Sequence, residues 1–223
     1  MLYQLFKYAV LDFDGVVANE STWSVFNKII KELDKELYNK IIKINKKYTK
    51  RFGSLSSSEY FHWFDTVINM YKKITDLDNV IDCAAKNLEQ IPGAIKFMHN
   101  FNEKNLSIIS CGIGEVIERF LIHNHYDKKI KIYANYITTN YNEDSLIYGT
   151  NKGYFLNNFI EANNVNRKRT VVVGDSPCDV ASIFLPDTTN CFVVSNKTFD
   201  QNFDQSKVDL FIRSLEDLMS MYK

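Results

Sequence analysis

The chain has 223 residues, 45% hydrophobic and 24% charged, in the range of a globular protein with one sizeable core and room for a smaller accessory domain. Its formal net charge is +0, so no global field favours nucleic acid or an anionic membrane, and no apolar run approaches the length of a membrane span. The four cysteines (Cys83, Cys111, Cys178, Cys191) lack metal-finger spacing, and the four histidines form no ligand motif. Free thiols, a short apolar N-terminus without a basic leader and the missing span lead to an expected cytoplasmic location.

The first predicted strand covers 6–12 and ends in Asp12-Phe13-Asp14-Gly15. Strand side chains repeat every two residues, so the two carboxylates point the same way. Like charges placed together repel unless a cation or a shared proton relieves them. Residues 21–89 contain one glycine, Gly53, and no proline, and their apolar positions recur at helical spacing. They predict an all-helical insertion, with Ser57 or Ser58 as a cap for its later helix. Pro92-Gly93 marks the return to alternating elements: helix 94–103, strand 106–110, helix 113–123, a strand near 131–137, a loop or hairpin over 138–150, helix 153–162, strand 170–174, helix 178–184, strand 190–194, a short strand near 208–212 and a closing helix 214–221. Strands alternating with helices imply an α/β, doubly wound parallel sheet with a Rossmann-like core. The expected division is a catalytic core of 1–17 and 90–223, with a helical cap of 18–89 inserted after the first strand.

Two further apolar runs end as the first does: Leu106–Ile109 in Ser110-Cys111-Gly112, and Thr170–Val173 in Gly174-Asp175-Ser176 with Asp179 beyond. With Asp12-x-Asp14-Gly15-Val16-Val17, Ser110, Lys152 and Gly174-Asp175-Ser176-x-x-Asp179 in this order, the chain resembles the haloacid dehalogenase superfamily over residues 6–16 and roughly 90–195. The resemblance implies a phosphomonoester hydrolase of a small soluble metabolite. Asp12 is its nucleophile, forming an aspartyl phosphate, and Asp14 its general acid and then base. It implies Mg2+ held by Asp12, Asp175 and the backbone carbonyl of Asp14. Ser110, with the backbone N–H groups of Cys111 and Gly112, is expected to cradle the phosphate, Lys152 to supply the fixed cation, and Asp179 to orient Lys152 or a metal-bound water. An expelled halide needs no proton, so an acid at Asp14 favours phosphoryl chemistry over dehalogenation.

The insertion stands where a small cap sits in many members of the superfamily. Glu20 and Trp23 are expected to face the site, Glu20 pairing with an ammonium and Trp23 stacking on a base or a choline-like group, with packing inside the cap as the plainer role for Trp23. Arg51 is a candidate for binding a carboxylate or a solvated loop residue. Asp12-Phe13-Asp14 with Asn19-Glu20 is similar to phosphoserine phosphatases, whereas Ser110-Cys111-Gly112-Ile113-Gly114-Glu115-Val116 is similar to a loop of pyrimidine 5′-nucleotidases, and the substrate stays open between them. A phosphotransferase would use the same residues. A non-catalytic binding module retaining the fold would be expected to have lost one of Asp12, Asp14 or Asp175. No nucleic-acid or membrane partner is expected.

Overall fold

The computed structural model describes residues 5–48, 55–194 and 203–221. Its six-stranded sheet is parallel throughout, in the order β3-β2-β1-β4-β5-β6. The strands are β1 (Tyr8–Leu11), β2 (Leu106–Ile113), β3 (Lys131–Asn135), β4 (Thr170–Gly174), β5 (Thr189–Val193) and β6 (Leu210–Ile212). Burial on both faces explains why β1 and β4 read as unbroken apolar runs. Ala9 and Leu11 of β1 and Val171 and Val173 of β4 join one core, while Tyr8, Val10 and Val172 join the core on the opposite face.

Four helices follow β1: α1 (Thr22–Leu33), α2 (Lys35–Tyr48), α3 (Ser57–Tyr71) and α4 (Leu77–Asn87). The cap of α3 is Ser56, rather than Ser57 or Ser58. Its hydroxyl accepts from the Glu59 N–H, and Glu59 Oε2 accepts in return from the Ser56 N–H at 3.0 Å, a reciprocal pair that the Ser-x-x-Glu spacing at 56–59 permits and the later serines lack. The remaining helices are α5 (Ala94–His99), α6 (Gly114–His123), α7 (Lys152–Asn163), α8 (Pro177–Ser182) and α9 (Leu215–Met221). The stretch 138–150 is a loop with one 3-10 turn at Glu143–Ser145, not a hairpin. It is held to α3 by Tyr141, which donates to Asp65 Oδ1 at 3.0 Å and meets the Phe64 ring edge-on at 4.9 Å.

Chain direction fixes where the site lies. From β1 the sheet grows one way through β2 and β3, and from β4 the other way through β5 and β6, so the connections leaving β1 and β4 run in opposite directions and leave a crevice at the carboxyl ends, where open α/β sheets hold their ligands. No described helix is long and apolar enough to cross a membrane.

Candidate active site

Each of the three central strands delivers its polar residues to one crevice. Asp12 follows β1 directly, its Oδ1 accepting from the Phe13 N–H at 2.7 Å, and Phe13 is fully buried edge-on against Phe120 at 5.2 Å. Packing of Phe13 on one side therefore fixes the neighbouring carboxylates on the other. The chain then turns at Gly15, whose φ is +83°, and a Cβ there would lie 1.9 Å from Asp175 Oδ2. Glycine at this position serves both the turn and the close approach of the β4 carboxylate.

Lys152 opens α7 and is 3% exposed. Its Nζ lies 2.9 Å from Asp12 Oδ2 and 2.7 Å from Asp179 Oδ1. The other oxygen of Asp179 accepts from the Ser176 hydroxyl at 2.6 Å and from the N–H groups of Ser176 and Asp175 at 3.1 and 3.3 Å. Asp179 thus both completes the cap of α8 and anchors Lys152. Burial opposes the charge on Lys152, but Asp12 and Asp179 hold its pKa well above the ordinary lysine value. Lys128 does not line this crevice; it donates to the carbonyls of His99 and Phe101 at 2.8 Å.

Asp14 is tied to the start of α1, its Oδ1 accepting from the Thr22 N–H at 3.0 Å. Burial lifts its pKa to about 6, against the pull of the Thr22 bond and of Lys152. Burial, with the carboxylate of Asp179 next, pushes Asp12 well above the usual range, and Asp175 and Asp14 add to that push. Carboxylate oxygens of Asp12, Asp175 and Asp179 lie within 4.8 Å of one another. Hard oxygen donors and an excess of negative charge over the single Lys152 fit a Mg2+ ion. Asp12 and Asp175 line the cavity whereas Asp179 is fully buried behind Lys152, so Asp12 and Asp175 are the carboxylates suited to hold it.

The β2 end differs from expectation in detail. The strand continues to Ile113 with a register shift between Ile109 and Ile113, so Ser110, Cys111 and Gly112 sit in an irregular strand end and not in a loop before a helix. The Gly112 N–H donates to Ser110 Oγ at 3.0 Å, so this donor is turned inward and is not free to cradle an anion. Glycine is required at 112 by a neighbour: a Cβ would lie 2.5 Å from Thr22 Oγ1, which itself accepts from the Ile113 N–H. Burial raises the Cys111 thiol to about 12, keeping it neutral.

The cavity above these residues has a volume of about 480 Å3. Asp12, Asp14, Ser110, Cys111, Lys152 and Asp175 line its floor, and Trp23, Tyr60, Trp63, Tyr71 and Tyr148 its walls. Trp23 reaches the cavity and also packs in the helical insertion, stacking on Tyr71 at 6.2 Å and meeting Trp63 at 5.9 Å. Glu20 does not face this cavity. It pairs with Lys28 at 2.6 Å on the outer surface, where both side chains are exposed, and it lines a separate depression. The position of Glu20 just before Ser21, the cap of α1, brings Lys28, two turns along, within reach. Arg51 lies outside the described residues.

Sequence reading missed Thr22, which links the Asp14 turn to the end of β2, and Asn135 at the end of β3. Asn135 is 1% exposed; its amide nitrogen donates to the carbonyls of Cys111 and Ile147 at 3.0 and 2.8 Å, and its oxygen accepts from the Ile147 N–H at 2.8 Å. A Ser-Thr pair before a periodic run signals a helix start and could have flagged Thr22. Nothing local marks Asn135.

A family model described as haloacid dehalogenase-like hydrolase matches residues 9–183. No curated protein matches the sequence. Among solved structures, a HAD phosphatase from Thermococcus onnurineus superposes with a TM-score of 0.66 at 14% identity, covering 97% of this chain and 98% of its own. A phospho-aspartyl intermediate analogue of phosphoserine phosphatase gives 0.63 at 18% identity, covering 98% and 99%. A dehalogenase with an intermediate complex gives 0.58 at 12% identity, covering 97% of both chains. At these identities the likeness is one of fold, and it spans phosphatases and a dehalogenase alike.

Proposed function

This chain belongs to the haloacid dehalogenase-like hydrolases, and from that premise we propose that it hydrolyses a small phosphate monoester through an aspartyl phosphate on Asp12. The observation that carries the reading is Asp14, a carboxyl lining the cavity with Asp12 and held at a pKa of about 6. A departing alkoxide needs a proton at that place, and a halide does not.

In this reading the Phe13 N–H and the Lys152 ammonium orient the two oxygens of Asp12, leaving the carboxylate aimed as a nucleophile. Lys152, itself fixed by Asp179, stays charged and faces the oxygens of the transferring phosphoryl group. Asp14 gives its proton to the leaving oxygen. It then takes one from the water that attacks the acyl phosphate, which restores Asp12 and releases inorganic phosphate. Mg2+ held by Asp12 and Asp175 would offset the repulsion between a carboxylate and a phosphate dianion. Residues 18–89 act as a cap that keeps bulk water from the acyl phosphate, over a core of 1–17 and 90–223.

The experiment is phosphate release from 4-nitrophenyl phosphate by the chelated protein, with and without added Mg2+. Metal-dependent release supports the reading. No release at any metal concentration, or full activity after exhaustive chelation, overturns it.

A further inference from the structure

Resting on that phosphomonoesterase reading, we infer that the leaving group this cavity takes is an uncharged alcohol bearing a planar aromatic ring. The charged groups lining the cavity are Asp12, Asp14, Lys152 and Asp175, all at the phosphate end. The walls, from α1, α2, α3 and the segment before α7, bring Trp23, Tyr60, Trp63, Tyr71 and Tyr148, with Asn27 and Asn45 as further polar side chains. No acid, lysine or arginine among the described residues lines those walls.

The polar atoms of the wall are largely committed to the protein. The indole N–H of Trp23 donates to the Cys111 carbonyl at 2.8 Å and that of Trp63 to Asn45 Oδ1 at 2.9 Å. The Tyr71 hydroxyl donates to Asn27 Oδ1 at 2.8 Å, and the Asn27 amide donates to the Trp23 carbonyl at the same distance. A polyol or sugar entering this space would give up water for few new partners. Among the described residues the ammonium and carboxylate of phosphoserine would meet no opposite charges on those walls, which costs more. Ring surface, in contrast, is abundant. Trp23 stacks on Tyr71 with planes 27° apart, and Tyr60 lies 5.1 Å from Tyr148 at 35°. Such a series is extended by one more planar ring. A quaternary ammonium also favours aromatic surroundings, so phosphocholine belongs in the test as an outcome that overturns the inference. A volume of about 480 Å3 admits a phosphoryl group with a one- or two-ring alcohol.

The test compares kcat/KM for benzyl, cyclohexylmethyl and methyl phosphates, O-phosphoserine and phosphocholine. Benzyl phosphate should exceed phosphoserine and phosphocholine by about tenfold or more. It should exceed its saturated cyclohexylmethyl counterpart by about threefold or more, the margin that separates stacking from mere apolarity. Trp63→Leu should bring the benzyl-to-cyclohexylmethyl ratio toward one. If that variant fails to fold, the wild-type ratios still decide. A charged ester turned over as fast as benzyl phosphate, or equal rates for the ring and its saturated counterpart, overturns the inference. If no ester is hydrolysed, the phosphatase reading falls by itself. Calorimetric binding of benzylphosphonate against methylphosphonate then decides the ring preference, and equal affinities overturn it.

Discussion

The floor and the walls of the cavity are built in opposite ways. The floor is made of charged side chains delivered by strand ends: Asp12 after β1, Asp175 after β4, and Lys152 at the first residue of α7, fixed by Asp179. The walls are made of rings from three separate stretches of chain, held by one another and by hydrogen bonds to neighbouring amides and carbonyls. The floor concentrates more negative charge than Lys152 alone balances, whereas the polar groups of the walls are largely met from within. The floor is therefore shaped for a reaction and the walls for a choice among substrates.

The largest effect expected is on the floor. Asp12→Asn should lower kcat toward 4-nitrophenyl phosphate by about a thousandfold or more, because an amide is a poor nucleophile of nearly the same shape. The circular dichroism spectrum should stay native. Retention of a tenth of the rate would remove Asp12 from the role of nucleophile.

Asp14 sharpens the comparison through pH. The acid form is the one that gives a proton to an alkoxide, and with a pKa near 6 it is lost as pH rises through that value. The kcat/KM for an alkyl phosphate should therefore fall on the alkaline side of about pH 6, and Asp14→Asn should remove that limb together with about a hundredfold of rate. An aryl phosphate, whose leaving group needs no proton, should show a smaller loss in its first-turnover burst. An unchanged pH profile in the variant would assign the limb to another group.

Asn135 joins the two regions, since it holds the carbonyl of Cys111 at the floor and both backbone groups of Ile147 beside the wall residue Tyr148. Asn135→Ala strands those buried groups, and a loss of about 2–4 kcal/mol of unfolding free energy is expected in urea titration. A rise in KM should accompany it. Full stability would show that water replaces the amide without cost.

The smallest effect lies outside both regions. Glu20→Ala removes an exposed pair with Lys28, for which a change of about 1 kcal/mol or less is usual. Its kcat/KM values across a substrate panel should match wild type within error. A change in substrate ranking would bring Glu20 back to the site.

How each region could be read from sequence follows from its construction. The strands β1, β2 and β4 are short apolar runs, and the residues ending them announced themselves by position, so the sheet and Asp12, Asp14, Ser110, Asp175 and Asp179 could be singled out together, whereas Lys152, at the start of α7, was reached through the family resemblance. The walls were hidden. Tyr60, Phe64, Val67 and Tyr71 repeat at helical spacing, which tells that a face is buried but not whether it covers other side chains or a cavity. Glu20 was misread because its partner, Lys28, is decided by the turn of a helix and not by nearness to the nucleophile. Asn135 had no local signal, as its partners lie 12 and 24 positions along or back in the chain.

The indole of Trp23 faces the cavity while its N–H supports the carbonyl of Cys111, next to Ser110. A single side chain thus answers to two selective demands. Any replacement that reshapes the wall at this point also withdraws a donor from the end of β2, leaving Asn135 to hold it. Lineages descended from this protein can change their diet more cheaply at Tyr148, for which no such bond to the floor is seen. Trp23 is then the position at which drift in substrate and retention of catalysis are hardest to reconcile.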